Sequence, residues 1–161
     1  MKIAPKDIDR FLAAPKSAKA ALIYGPDHGL VRQRGDVVGS HILKDLADPS
    51  NRSDLSPQQI LDDPARLSHE LAAMRLTADR RLIVVRDATD KIAAAIEESA
   101  SLLHEGNFLI VCADDLGPRS PLRLMAESSA VFAAVPCYKD EGVGLSQLIR
   151  TTLRGHGFHA D

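Results

Sequence analysis

The stretch ALIYGPDHGLVRQRGDVVGSHIL, residues 21–43, joins a short apolar run to a glycine-containing turn and then to a helical pattern. A strand, a glycine loop and a helix N-terminus together form the usual framework for binding the phosphates of a nucleotide. The apolar run ALIY (21–24) predicts a buried strand, and residues 27–44 predict a helix with Asp27 as a capping residue. The question is whether the turn between them holds a nucleotide.

The same alternation of strand and helix continues along the chain. Short apolar runs predict further buried strands at RLIVVRD (81–87), NFLIVCA (107–113) and AVFAAV (130–135), and a weaker strand at 51–55. Helical patterns lie at 92–103, 120–125 and 145–153, and one more helix begins with Asp63 as N-cap and Pro64 as first residue. Strands that alternate with helices predict a three-layer α/β domain, a parallel sheet covered on both faces.

Composition excludes several classes of protein. With 161 residues, 45% of them hydrophobic and 26% charged, the chain has the make-up of one globular domain. A formal charge of −2 gives no broad attraction to DNA or to anionic lipid. The sequence shows neither a signal peptide nor an apolar run long enough to span a bilayer, so we expect a cytoplasmic protein without membrane contact. Cys112 and Cys137 lie in apolar runs, which predicts buried, reduced thiols.

The turn after the first strand lacks the parts of a phosphate-binding loop. Such a loop needs a Lys-Ser/Thr pair after its last glycine, and none follows Gly29. Pro26 removes an amide donor, and Asp27 places a negative charge where a phosphate would sit. The spacing of Gly25 and Gly29 also fails the dinucleotide fingerprint. We therefore interpret Gly25, Asp27 and Gly29 as a degenerate nucleotide loop, in which Gly25 makes a tight turn and Asp27 caps a helix.

Other candidate chemistry is weaker. Asp87 resembles a magnesium-binding aspartate after an apolar strand, and Asp114 with Asp115 forms a pair of carboxylates, but each also fits a strand end or a cap. The six histidines are scattered, so the sequence predicts no metal site. Ser120 and Ser146 lack a nucleophile elbow. We predict no catalytic residue and no cofactor.

Several segments, in order, resemble a known family. They are YGPDHGLVRQ, DPARLSHELAAMRLTADRRLIVVRDATDK, NFLIVCADDLGPRSPLRLMAES and AVPCYKDE. Together they are similar to the N-terminal domain of the delta subunit of the bacterial DNA polymerase III clamp loader. The resemblance implies an AAA+-type fold without a functional P-loop, in a subunit that binds and helps open the β sliding clamp during replication. It also implies other clamp-loader subunits as partners, and DNA only within the assembled complex. On this basis residues 1–140 would be the clamp-binding domain, and residues 141–161 would begin the helical lid domain of a longer protein.

The resemblance also assigns a binding element. In many family members it reads Ser-Leu-Phe at the end of a helix, with the Leu and Phe inserted into a hydrophobic pocket of the clamp. Here Leu76 falls on the family Leu, whereas Thr77 replaces the Phe, and Met74 lies one turn earlier. The resemblance therefore makes Met74, Leu76 and Thr77 the candidate clamp-binding residues. The alternative is that Met74 and Leu76 belong to the core of this domain.

The arginines near these segments have more than one interpretation. Arg80 and Arg81 either orient the clamp-binding element through nearby carbonyls or are solvated residues beside an apolar strand. Arg119 and Arg123 could pair with Asp114 or Asp115 or face DNA in an assembled loader, and we prefer an ion pair or a solvated face, since two arginines do not make a DNA site. For the whole chain, the alternatives to a clamp-loader subunit are a divergent P-loop-type ATPase and a receiver-like regulatory domain.

Overall fold

A five-stranded parallel sheet lies at the centre of the residues that the computed structural model describes, 1–73 and 80–138. In chain order the strands are β1 (Ala20–Tyr24), β2 (Arg52–Leu55), β3 (Arg81–Ala88), β4 (Asn107–Ala113) and β5 (Phe132–Pro136). The order across the sheet is β2-β3-β4-β1-β5, and every neighbouring pair is parallel. The predicted strands are confirmed, including the weak one that became β2.

Helices connect the strands and cover both faces of the sheet. They are α1 (Ile8–Ala13), α2 (His28–Ile42), α3 (Pro57–Asp62), α4 (Ala65–Ala72), α5 (Ala93–Ser99) and α6 (Pro121–Ser128). None of these helices, in the part of the chain that the structure describes, is long and apolar enough to cross a bilayer. The predicted helix at 145–153 lies outside the described residues.

Alternate residues of the strands contribute to two separate cores. Leu22, Ile83 and Leu109 pack on one face with side chains of α3, α4, α5 and α6. Ile23, Val84 and Ile110 pack on the other face against α1 and α2. Both faces of β1, β4 and β5 are buried, which explains why these three strands are nearly continuous apolar runs. The three-layer α/β architecture is confirmed.

The direction of each crossover explains the division of the helices. Connections between parallel strands are right-handed, so the direction of a crossover along the sheet determines the face on which its helix lies. The step from β1 to β2 runs in one direction and places α2 on one face. The steps from β2 to β3, β3 to β4 and β4 to β5 run in the opposite direction and place their helices on the other face. This order differs from the flavodoxin-like order 2-1-3-4-5, because β1 here lies between β4 and β5. The receiver-like alternative therefore does not fit the topology.

Some helix boundaries differ from the prediction. The pattern at 92–103 is interrupted, because Asp90–Ile92 and Ala100–Leu102 form 3₁₀ turns on either side of α5. Helix α4 begins one residue later than predicted, after Pro64, although the Asp63 carboxylate still accepts the Ala65 N–H at 3.2 Å. Helices α1 and α3 were not predicted. Ser56 and Gln59 form a capping box at the start of α3, and this sequence signal was missed.

Candidate functional site

The turn between β1 and α2 lies at the carboxyl end of the sheet, where α/β proteins bind their ligands. Gly25 follows β1 directly and is buried. A Cβ atom on Gly25 would lie 2.0 Å from the carbonyl oxygen of Cys137, in the chain that leaves β5. The Cys137 N–H donates to the Tyr24 carbonyl at 2.7 Å, which holds the two segments together. Only glycine fits here, because any side chain would overlap the backbone of Cys137.

Asp27 caps α2 as predicted. Its carboxylate accepts the N–H of Leu30 at 3.0 Å. A helix N-terminus attracts anions through its free N–H groups, and here the protein's own carboxylate already takes that place. Gly29 is an ordinary helical residue, since a Cβ atom on it would meet only the Asp27 carboxylate, at 3.5 Å. None of the three residues of the degenerate nucleotide loop is thus arranged around a phosphate.

A contact between a histidine and a carboxylate spans the crevice between the carboxyl ends of β1 and β4. Nδ1 of His28, at the start of α2, lies 3.0 Å from the carboxylate of Asp114, which follows β4. Both side chains are largely exposed, so the pair is accessible to water. Asp115 is also exposed and does not join it. Both carboxylates directly follow the end of β4, in agreement with the preferred interpretation of Asp114 and Asp115 as residues that end a strand.

Asp87 lies near this crevice in a strained backbone conformation. Its φ of 55° is in the left-handed region, which aspartate tolerates better than most residues. The pairing of β3 with β4 shifts register between Val85 and Ala88, so Asp87 lies in an irregular part of the strand and its side chain is exposed. In the described ranges, no three His, Cys, Asp or Glu side chains are grouped so that they could hold a metal ion.

A cavity of about 210 Å³ lies between α2 and the sheet, beside the crevice. Its floor is apolar and includes Val84, Ile110 and Cys112, whereas Asp36 and Arg86 face each other at its mouth at 3.6 Å. Burial raises the pKa of the Cys112 thiol to about 12. The thiol is therefore protonated at neutral pH and is no nucleophile. The prediction of two buried, free cysteines is confirmed.

Arg34 is a buried charged residue that the sequence analysis missed. Its Nη1 donates to the Pro136 carbonyl at 2.8 Å and to Sγ of Cys137 at 3.4 Å. The side chain therefore ties α2 to the end of β5, next to the close approach at Gly25. Its position on the buried face of α2, between Val31 and Val38, is the only signal that the sequence offers.

Ser120 and Arg123 have structural partners. Ser120 is the N-cap of α6 and its hydroxyl donates to the Asp90 carboxylate at 2.5 Å, while the same hydroxyl accepts the Arg123 N–H. Arg123 pairs with Glu127 at 2.9 Å, donates to the Leu116 carbonyl at 3.0 Å and lies over the ring of Tyr24. The preferred interpretation of Arg123 as part of an ion pair agrees with this contact, but the partner is Glu127, one turn away on the same helix, and not Asp114 or Asp115. Arg119 is exposed.

The predicted clamp-binding residues Met74, Leu76 and Thr77 lie outside the described residues, but both ends of their segment are described. Helix α4 ends at Ala72, and β3 begins at Arg81. Arg81 donates through Nε to the Glu70 carbonyl at 3.1 Å, and its Nη2 forms an ion pair with the Glu70 carboxylate. Asn107, which the sequence analysis treated only as part of a strand, donates to the Leu71 carbonyl at 2.9 Å.

Arg80 forms the other contact beside this segment. Its Nη2 donates to the Asn107 carbonyl at 3.1 Å, and its guanidinium lies 5.5 Å from the centre of the Phe108 ring. Burial lowers the pKa of Arg80. Of the two interpretations given to Arg80 and Arg81, bonding to nearby carbonyls is the one observed, and neither arginine is a freely solvated residue.

Comparison with known proteins extends these observations. No protein-family model and no curated protein sequence matches the chain. Among solved structures, the Bacillus subtilis DNA clamp loader delta protein is similar, with a TM-score of 0.69 and 12% identity over 94% of this chain and 47% of that protein. A DNA polymerase III gamma subunit-related protein from Thermotoga maritima gives a TM-score of 0.58 and 15% identity over 91% of this chain and 49% of that protein.

The chain therefore spans about half the length of the solved structures that it matches. At this level of identity the likeness concerns the fold. The three-layer α/β architecture, with its parallel sheet in the order β2-β3-β4-β1-β5, is the fold shared with these two clamp-loader-related proteins.

Proposed function

We propose that this chain is the clamp-binding domain of a delta-type clamp-loader subunit, which binds the β sliding clamp and helps to open it without hydrolysing ATP. The observation that carries the proposal is the structural likeness to the Bacillus subtilis delta protein over 94% of the chain. It agrees with the family resemblance drawn independently from the sequence. Other clamp-loader subunits and, within the assembled complex, DNA are the further partners that we propose.

The geometry of the crevice supports a role without nucleotide. The Asp27 carboxylate takes the N–H of Leu30 at the start of α2, where a phosphate would otherwise bind. Pro26 has no N–H to offer, and no lysine stands in the turn. The side chain of His28, the first residue of α2, is paired with Asp114. A divergent ATPase would have to bind a polyanion next to these carboxylates, which is electrostatically unfavourable.

We propose that Leu76 is the main apolar anchor on the clamp, with Met74 beside it. Thr77 stands where many family members have Phe, so the anchor is smaller here. Aromatic anchors carry a large share of the energy of many interfaces. Full burial of a Phe side chain is worth about 1.5–3 kcal/mol, which corresponds to roughly 10- to 100-fold in affinity.

The test is binding to the β sliding clamp of the same organism, measured by surface plasmon resonance. We expect saturable binding by the wild type, loss of binding in Leu76→Asp, and about tenfold or greater tightening in Thr77→Phe. Leu124→Asp is the matched control, because Leu124 is an exposed leucine on α6. The Leu124→Asp variant should bind like the wild type.

The effect of nucleotide on clamp binding and on stability is measured in the same experiment. We expect the clamp affinity and the melting temperature to be unchanged by Mg-ATP, because the crevice offers no phosphate site. If the wild-type protein did not bind the clamp and its melting temperature rose with Mg-ATP, the proposal would be overturned in favour of the ATPase alternative.

A further inference from the structure

We propose that Glu70, Arg81 and Asn107 are positioning residues that fix both ends of the clamp-binding segment and so set its affinity for the clamp. We call these three residues the α4 lock. The inference rests on the proposed function, because it concerns how the same segment is presented. The residues of the lock do not themselves contact the clamp in this proposal.

One role of the α4 lock is to satisfy the last carbonyl groups of helix α4. The last carbonyls of a helix have no partner within the helix and must be satisfied elsewhere. Here the Glu70 carbonyl accepts from Nε of Arg81 at 3.1 Å, and the Leu71 carbonyl accepts from Nδ2 of Asn107 at 2.9 Å. The donors come from the beginnings of β3 and β4, so the sheet itself determines where α4 stops.

The lock also fixes the point where the chain returns. Arg81 is the first residue of β3, and its backbone N–H donates to the Gly106 carbonyl at 2.9 Å. Its guanidinium is ion-paired with the Glu70 carboxylate, and the side chains of Arg81 and Glu70 are only 14% and 18% exposed. The last turn of α4, before the segment, and the first residue of β3, after it, are therefore joined directly through Glu70 and Arg81.

Asn107 adds further hydrogen bonds to the same group of residues. It is 1% exposed, and its Nδ2 also donates to the Leu102 carbonyl at 3.0 Å, while its Oδ1 accepts the His104 N–H at 3.0 Å. The carbonyl of Asn107 accepts from Arg80, which borders the segment on its other side. Every polar atom of this buried amide is used, so no polar group of Asn107 is left to bind a ligand.

The consequence for function is preorganisation. Binding a clamp pocket requires the apolar anchors to be ordered, and ordering a side chain that was loosely held costs about 0.5–1.5 kcal/mol. Loop-closure entropy gives the reason to expect preorganisation, because a short chain segment whose ends are held at fixed points has fewer conformations to lose than one whose ends are free. Loosening either end should therefore weaken the clamp complex even though no contact with the clamp is removed.

The test replaces Arg81 by Gln and compares it with Arg123→Gln. Arg123 is a close match, since its side chain is also 14% exposed and also bonds one glutamate and one backbone carbonyl, but it lies on α6. At a temperature where both variants are fully folded, we expect Arg81→Gln to bind the clamp about five- to tenfold more weakly than the wild type. Arg123→Gln should bind within about twofold of the wild type. Glu70→Gln serves as a milder second variant should Arg81→Gln fold poorly.

A double-mutant cycle distinguishes positioning from a general loss of stability or from direct contact. If the lock acts through the anchor, Arg81→Gln should change clamp affinity by less than about twofold in a Leu76→Ala background. Equal effects of Arg81→Gln and Arg123→Gln, or fully additive effects of Arg81→Gln and Leu76→Ala, would overturn the inference alone. A wild-type protein that does not bind the clamp would overturn the proposed function, and the inference with it.

Discussion

At the scale of single residues, Gly25 is the position where the backbone tolerates least change. A Cβ atom there would overlap the Cys137 carbonyl oxygen at 2.0 Å, and that atom belongs to the backbone and not to a flexible side chain. We expect Gly25→Ala to lower the free energy of unfolding by about 2–4 kcal/mol, because the exit of β5 has to move away from β1. Urea denaturation measures this change.

Gly117 provides the control for Gly25. A Cβ atom on Gly117 would meet nothing within 4 Å. Gly117→Ala should therefore alter the free energy of unfolding by less than about 0.5 kcal/mol. Comparable losses in the two variants would mean that Gly25 is not kept for the close approach at Cys137.

Single residues also show how much of the candidate site could be predicted from the sequence. Gly25 was expected only as a glycine turn, whereas the contact that requires glycine there is with Cys137, far along the chain. The role of Asp27 follows from local chemistry, since a short acid caps the helix that it precedes, and it was predicted. Asn107 and Arg34 were not. Their partners lie 36 and 102 residues away along the chain, so no local pattern marks them. Long-range contacts of buried polar side chains become visible only when the chain is folded.

At the scale of elements, the start of α2 offers a direct test of the capping role. Replacing Asp27 by Ala removes the acceptor of the Leu30 N–H, which should cost about 1 kcal/mol of stability. Asp27→Asn keeps a capping oxygen but removes the charge, and should be close to the wild type. The measurement is again the free energy of unfolding in urea. An equal loss in both variants would show that charge, and not the cap, matters at this position.

The elements themselves were predictable to different degrees. Strands β1 and β4 are buried along their whole length, and β3 is buried over residues 82–85, so each contains a continuous apolar run that is easily recognised. Helices α1 and α3 are six residues long, too short to show a clear helical period. The 3₁₀ turns around α5 change the period within one apolar pattern, and a reading of the sequence merges them into one helix.

At the scale of the whole molecule, the alternation of strands and helices predicts a parallel sheet but not the order of its strands. That order is incompatible with a receiver domain, and the fold as a whole is the one shared with the two similar solved structures. The placement of β1 between β4 and β5 arises from contacts between segments about 90 and 110 residues apart. Such pairing is a property of the whole chain.

Global stability should fall at alkaline pH because acidic groups are buried in their protonated form. Burial raises the pKa of the Cys112 thiol to about 12, from an ordinary value near 9, and also raises the pKa of Tyr24. The unfolded chain loses the thiol proton near pH 9, whereas the folded chain keeps it until about pH 12, so stability is full below pH 9 and is lost as pH rises through this window. At pH 10.5 the contribution of Cys112 amounts to about 2 kcal/mol.

Cys112→Ala isolates this effect from the titration of the other groups. We expect the free energy of unfolding of the wild type to fall by about 2 kcal/mol more than that of the variant between pH 8 and pH 10.5, whatever the variant loses at pH 8 through its smaller side chain. The comparison of slopes matters here, since the loss of the sulfur atom from the cavity wall lowers stability equally at every pH. Parallel pH profiles would mean that the thiol ionises in the folded protein, and hence that water reaches the floor of the cavity between α2 and the sheet.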